Sequence, residues 1–371
     1  MFAALAGLHF GALLAALRTR APPAAEPPTA STASRMTGMT VLAISAVPLL
    51  LQLRHIVGVA VEGGYMALYQ QDFGSAGAAS AQSIGADLVM PGAYFLLAGS
   101  AQHRRCRIAA IAILSVYCFT LLFVGYRGHS VMPLVSMAWL WECTIRRISR
   151  THVAIAAANL LCGVFPFIRA TRELWPVAER TSATAVESYS EMEDHPAVAT
   201  FSEMGGSVST VAYTIELVPR YRPYDDGVGY AYALLTVVPS LFWDRHPSVA
   251  RGVPSAWLIE TIDPYTAAQG GSIGYSFVAD AFLNFGALGV PLFSLLLGWG
   301  MVRFWRWADG RVGRLAVVAT FVPHLLFSAR AEIDVLPRPL VWYGFVPYAL
   351  YLLIRRSLEE RRPSSVARRA A

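Results

Sequence analysis

Hydrophobic residues gather along this chain in long runs separated by short turns, most of them arginine-rich. One run, Phe277 to Val302, exceeds the ~20 apolar residues that cross a bilayer as a helix. It is entered through a polar collar of Ser272, Tyr275, Ser276, Asp280 and Asn284, and it leaves into RFWRWADGRVGR. Asp280 and Asn284 are spaced i, i+4 and therefore share a face of the predicted helix. An acid and an amide at that depth must face protein or a water-filled cavity, because lipid does not solvate them.

The same pattern predicts further helices at Met1–Leu17, about 36–53, 86–101 and 106–124, one ending near 145, and others at 151–168, 314–329 and 340–354. The expectation is an all-α integral membrane protein with about nine transmembrane helices. Residues 18–35, rich in Pro, Ala, Ser and Thr, read as a flexible linker, and 54–85 as a Gly-, Ser- and Gln-rich loop of mixed character. Residues 169–276 hold about half of the acidic residues and no arginine cluster. Within them Val228–Phe242 is apolar but short, and it contains Pro239. A single crossing there would break the in–out parity of the flanking helices, so 228–242 is expected to be re-entrant or surface-lying. The chain thus divides into N-terminal membrane helices (1–168), a large extracytoplasmic segment (169–276), C-terminal membrane helices (277–354) and a cytoplasmic arginine-rich tail (355–371).

Composition supports this division. The chain is 55% hydrophobic and 15% charged, with a mean hydropathy of +0.46. Soluble domains carry about 25% charged residues. All 30 basic residues are arginine, and 19 of them fall in the five turns and tails assigned to the cytoplasm, as the positive-inside rule requires. The net charge of +6 therefore points to membrane topology and not to nucleic acid. The first apolar run has its arginines after it, the reverse of the secretory order, and reads as a membrane helix. Cys106, Cys118, Cys143 and Cys162 lie in or beside apolar segments without CxxC spacing and read as packing residues.

Candidate chemistry clusters on the face opposite those turns. GYRGHS (125–130) places Arg127 and His129 in a Gly-flanked turn, either an ordinary loop or an anion site, since an arginine fork binds phosphate bidentately. FSEMGGSVST (201–210) offers Glu203 before a Gly-Gly turn, as a helix cap or as a base. VPRYRPYDDGVGY (218–230) packs Arg220, Arg222, Asp225, Asp226 and Tyr230 together, either as a solvated loop or as a surface suited to sugars. Arg330, Glu332, Asp334 and Arg338 follow the 314–329 helix, which itself contains His324. There is no P-loop or HExxH pattern, and nothing marks a nucleotide site.

The order of these pieces resembles the Wzy-type O-antigen polymerases, also called oligosaccharide repeat unit polymerases. The carriers are Gly-Tyr-Arg-Gly, Glu-Met-Gly-Gly, Arg-Tyr-Arg-Pro-Tyr-Asp-Asp-Gly and Val-Val-Pro-Ser. The most specific is the stretch from Gly274 to Gly289, where members usually carry glutamate in place of Asp280. The resemblance implies a GT-C-like membrane glycosyltransferase on the outer face of the bacterial cytoplasmic membrane. It would transfer a growing glycan from undecaprenyl pyrophosphate to a lipid-linked repeat unit, with no cofactor or metal. The implied partners are the lipid-linked oligosaccharide, membrane lipid and a candidate chain-length regulator. Arg127, Arg220 and Arg330 are the expected pyrophosphate site, with Arg222, Asp225, Tyr230, Tyr275, Ser276 and Asn284 as further substrate contacts. Glu203 or His129 would activate the acceptor hydroxyl, and Asp280 would hold an arginine or a sugar hydroxyl. The rival readings are an O-antigen ligase-type glycosyltransferase and a lipid-linked oligosaccharide flippase. A flippase is disfavoured because the chain has no internal repeat and its polar residues gather at one face.

Overall fold

The computed structural model describes residues 1–17, 26–70, 77–167, 198, 205–240 and 243–361, and Glu203 lies outside these. Among the described residues the fold is helical throughout, with no strand. The first half comprises α1 (Phe2–Ala16), α2 (Pro28–Gln70), α3 (Gly77–Asp87), α4 (Val89–Ala98), α5 (Arg104–Val124), α6 (Arg127–Thr144) and α7 (Arg150–Asn159). The last of these continues through a π turn at Leu160–Val164. Five short helices follow: α8 (Ser207–Leu217), α9 (Val228–Leu235), α10 (Pro247–Arg251), α11 (Pro254–Ile262) and α12 (Pro264–Ala268). The chain then returns to long helices in α13 (Phe277–Ala308), α14 (Val312–Phe327) and α15 (Val346–Glu360).

Among the described residues, five helical stretches are long and apolar enough to cross a bilayer: Pro28–Gly64, Arg104–Val124, Arg150–Phe167, Phe277–Ala308 and Val312–Arg330. The protein is a multi-pass membrane protein. Its arginine-bearing turns meet at one end of the bundle. There Arg35 donates to Gly99 O (3.0 Å), and Val312 N donates to the Glu26 carboxylate (2.9 Å) at the start of α14. Arg306 donates to the carbonyls of Ala15 and Ala16, both at 2.8 Å, and so caps the C-terminus of α1. At the other end the α6 start, the approach to α13 and the end of α14 converge.

Lipid tails are as apolar as leucine, so helices in a bilayer associate through close packing of small residues and through interhelical hydrogen bonds. Both devices operate here. α4 is buried along its whole length, ringed by α2, α5, α6 and α14. Ser34 Oγ donates to Phe95 O (2.7 Å), and Tyr94 Oη donates to Pro133 O (2.9 Å). α1 lies parallel to α13, burying Ala4, Gly7, Gly11 and Ala15 at helical spacing. The approach is so close that a Cβ on Gly11 would stand 2.0 Å from Leu295 O, and one on Gly298 2.1 Å from Leu8 O.

The structure corrects two expectations. Residues 28–35 belong to α2 and not to the flexible linker 18–35, because Ala30, Ala33 and Ser34 are small enough to be fully buried. Much of 54–85 is likewise helical, in the distal part of α2 and in α3, rather than loop. α13 also departs from a single continuous span. It breaks at Phe285 (φ −138°, ψ 16°) and Gly286 (φ 64°, ψ −155°), the second a conformation that glycine adopts without steric cost. The Leu283 carbonyl beside the break accepts from Asp225 N (2.9 Å), as a freed backbone group at membrane depth requires.

The α1–α13 contact makes a sharp expectation. Gly298→Ala should lower the melting temperature in detergent by several degrees, since overpacking costs about 1–3 kcal/mol. Gly300→Ala, two residues along the same helix and facing open space, should be neutral or slightly stabilising. Equal melting curves for the two variants would refute the packing argument.

Candidate functional site

A cavity of about 1600 Å³ lies at the end of the bundle opposite the arginine turns. Arg127 and His129 enter it from the first turn of α6, and Arg330 and Glu332 from the segment after α14. Gly125, in a left-handed C-cap conformation (φ 106°), ends α5. α6 then starts within two residues, which puts Arg127 at the mouth. First-turn N–H groups of a helix lack intrahelical acceptors and carry its positive dipole end. The His129 ring sits against Phe327 (centroids 4.8 Å) and edge-on to Tyr126 (5.8 Å). Further walls come from α8 (Ser209, Tyr213), from α11, from the Gly270–Gly274 strip and from α7 with its π turn.

The segment carrying Arg330 and Glu332 is fixed by Asp280. This carboxylate is 3% exposed and Asn284 is 0%. Asp280 Oδ2 accepts from Ile333 N (3.0 Å), and Oδ1 accepts from Asn284 Nδ2 (3.0 Å). Asn284 Nδ2 also donates to Asp280 O (2.9 Å). Among the described residues no arginine pairs with Asp280, whose partners are an amide side chain and a backbone N–H. Tyr275 N donates to Arg330 O (3.2 Å), a second tie between the α13 approach and the same segment. Glu332 Oε1 accepts from Ser255 N (2.8 Å) at the start of α11, so this one side chain joins two walls of the cavity. Asp334, partly buried beside the Glu332 carboxylate, is pushed up to about 7, first by burial and then by that like charge.

The other residues singled out in the sequence fall elsewhere. Arg220 stacks on Tyr221 (5.2 Å), which is largely exposed, and it does not line this cavity with Arg127 and Arg330. Arg222 bonds Asp225 (3.1 Å) and lies over Trp257 (4.6 Å). Arg251, which the sequence reading passed over, pairs with the same Asp225. Tyr230 stacks on Phe293 (5.0 Å, 10° between planes), against the broken part of α13. Ser276 Oγ accepts from Val278 N (3.2 Å) and caps α13. Tyr275 is buried and shares a hydrogen bond with Thr214 (3.2 Å). The helix in 228–242 is the eight-residue α9, too short to cross a bilayer. It packs Ala233 against Phe321, Ile333 and Leu336. Glu332, Tyr213 and Ser209 line the cavity without having been assigned to it. Only Glu332 carried a signal, its place two residues after Arg330. No group of three or more His, Cys, Asp or Glu suited to a metal occurs among the described residues, and the four cysteines are unbridged.

A helical membrane protein with a cavity of arginine, histidine and carboxylate at one end of its bundle suits chemistry on a lipid-anchored, anionic substrate. The chain matches the family model described as O-antigen polysaccharide polymerase Wzy over residues 29–361. It belongs to that family, whose members are membrane glycosyltransferases acting on lipid-linked oligosaccharide repeat units. No curated protein and no solved structure matches the chain.

Two expectations follow from the fastening of the cavity. Asp280→Ala orphans the Ile333 N–H, a loss of about 1–3 kcal/mol. Asp280→Asn keeps an oxygen for that group and needs only a turn of Asn284. Thermal unfolding should therefore rank wild type above Asp280→Asn, and Asp280→Asn above Asp280→Ala; the reverse order of the two variants would contradict the geometry. For Asp334 the folded pKa lies above the unfolded one, so the folded chain binds more protons between about pH 4 and 7. Stability then falls as pH rises through that window, and Asp334→Asn should flatten the fall. A melting temperature with the same pH slope in both proteins would exclude a raised pKa at this site.

Proposed function

We propose that this cavity is where a growing glycan leaves undecaprenyl pyrophosphate and joins the non-reducing sugar of an incoming lipid-linked unit. The membrane is the bacterial cytoplasmic membrane and the cavity opens on its outer face. The observation that carries this reading is the presence of Arg127 and Arg330, from helices far apart in sequence, in one cavity with His129. The outer placement is supported by the arginine-rich turns at the opposite end.

The reaction exchanges one C–O bond for another. The acceptor hydroxyl oxygen attacks the anomeric carbon of the donor sugar and forms the new glycosidic bond. The bond from that carbon to the diphosphate oxygen breaks, and its electron pair departs with undecaprenyl pyrophosphate. The hydroxyl proton passes to a ring nitrogen of His129, acting as general base. Arg127, Arg330 and the N-terminus of α6 stabilise the charge that grows on the departing diphosphate. Asp280 acts one step back, by holding the segment that carries Arg330. Tyr213, Asp263 and Glu332, which also line the cavity, offer an aromatic face and carboxylates to sugar hydroxyls. A chain-length regulator is the candidate protein partner.

Lysine keeps the charge but loses the planar fork. Arg127→Lys and Arg330→Lys should each reduce kcat/KM with lipid-linked repeat units by about tenfold or more, equivalent to ~1.4 kcal/mol, whereas Arg220→Lys should stay within about twofold. Equal losses at all three positions would break this assignment. In a deletion strain, gels of the surface polysaccharide should show single-unit products. Complete absence of attached units would favour a ligase, and units trapped inside would favour a flippase.

A further inference from the structure

The cavity has one apolar flank. Below Arg127 and His129 on α6 lie Val131 and Met132, and facing them from α7 and its π turn are Ala157, Leu160 and Phe165, all lining the same cavity. α7 otherwise stands apart, with every residue from Arg150 to Asn159 exposed. Its 18-residue helical stretch to Phe167 is apolar enough to span, and among the described residues its main contacts are with its own π turn. The space between α6 and α7 is therefore a slot. At its polar end sit an arginine and a helix N-terminus, and along its length only apolar side chains. Ala157 to Phe165 lies about 10 to 22 Å in from Arg150 at 1.5 Å per residue, within the apolar stretch long enough to span.

We propose that this slot receives the polyprenyl tail of the donor substrate. The inference rests on reading the cavity as the polymerase site and adds which substrate docks there and by what route. A lipid-linked diphosphate must bring its phosphates to the guanidinium groups while its tail stays in an apolar medium. Drawing that tail through the polar mouth would expose many CH₂ groups at about 0.8 kcal/mol each. The site thus needs a side opening toward lipid, and α6–α7 is the flank where apolar lining runs directly into Arg127. The two substrates also differ in what they bring to the reacting centre. The donor reacts at the carbon bonded to its diphosphate, so its tail begins at the arginines. The acceptor reacts at its far sugar, a whole repeat unit from its own diphosphate. A tail next to Arg127 therefore belongs to the donor.

The test uses the full-length protein in nanodiscs with two synthetic donors that carry the same repeat unit. One has an undecaprenyl tail and the other only a methyl group in its place. Met132→Trp and Leu160→Trp fill the slot. Each should raise KM for the undecaprenyl donor by about tenfold, or ~1.4 kcal/mol, and leave KM for the methyl donor, which has no chain to seat there, unchanged. Val116→Trp, on the lipid-exposed face of α5, should affect neither donor. If Met132→Trp does not fold, Leu160→Trp carries the comparison alone, because α7 has little packing to disturb. Equal KM changes with both donors, or no change with either, would overturn the slot as the tail site. Wild-type protein that turns over neither donor would instead overturn the polymerase reading on which the proposal rests.

Discussion

A carboxylate sits inside a membrane helix, and lipid cannot solvate it. Asp280 meets this constraint by giving one oxygen to Asn284 and the other to the backbone N–H of Ile333. The solution joins the first half of the broken α13 to the segment that follows α14. That segment carries Arg330 and Glu332, and Glu332 in turn caps α11. One buried acid thereby sets the positions of three walls of the cavity. Moving either partner away would leave the buried carboxylate or the Ile333 N–H unpaired, which is costly, so this part of the fold has few alternative arrangements. In the proposed reaction, such rigidity keeps the guanidinium groups at fixed places before any charge develops.

The rest of the bundle supports that arrangement through shape. α13 is broken at Gly286, and a broken membrane helix needs neighbours that re-satisfy its backbone and brace its halves. The 222–230 segment does the first, through Asp225 N and through Tyr224 and Tyr230 packed about the break. α1 does the second. It lies along the longer half, and glycine meets backbone at both Gly11 and Gly298. The Arg222–Asp225–Arg251 cluster then reads as a clasp that holds the 222–230 segment in place. Its charges are spent on one another and on the faces of Trp257 and Tyr232.

Much of this was legible in the sequence, for identifiable reasons. Apolar runs and arginine turns follow from bilayer thickness and topology, which act on composition directly, so the membrane class and most helix positions can be read. Asp280 and Asn284 could be placed on one face because i, i+4 spacing is a local property. The partner of Asp280 could not be read, because Ile333 N is a backbone group 53 residues away and leaves no trace in side-chain chemistry. The same limit grouped Arg220 with Arg127 and Arg330. All three are arginines on one side of the membrane, but only long-range packing decides which two share a cavity. Residues 28–35 looked like linker because Ala, Ser and Thr are common in linkers. In a bilayer these same small residues are what close helix packing uses, and composition does not separate the two cases.

The cavity combines features that seldom coexist in a soluble enzyme. Its polar contents lie at the ends of helices, where backbone N–H groups and arginine side chains can be presented without crossing hydrocarbon. Its apolar flank lies along helices, where side chains alone face outward. A substrate with a charged diphosphate between a sugar and an isoprenoid has the same division along its length. The diphosphate marks the boundary on the substrate, as Arg127 at the first turn of α6 marks it on the protein. On the proposed reading, the glycan extends toward α8, α11 and the Gly270–Gly274 strip, and the tail toward α7. Read in this way, the short helices between α7 and α13 wall the sugar side of the reacting centre, and the lone α7 helix borders its lipid side. The centre itself is confined to the few residues where the two media meet.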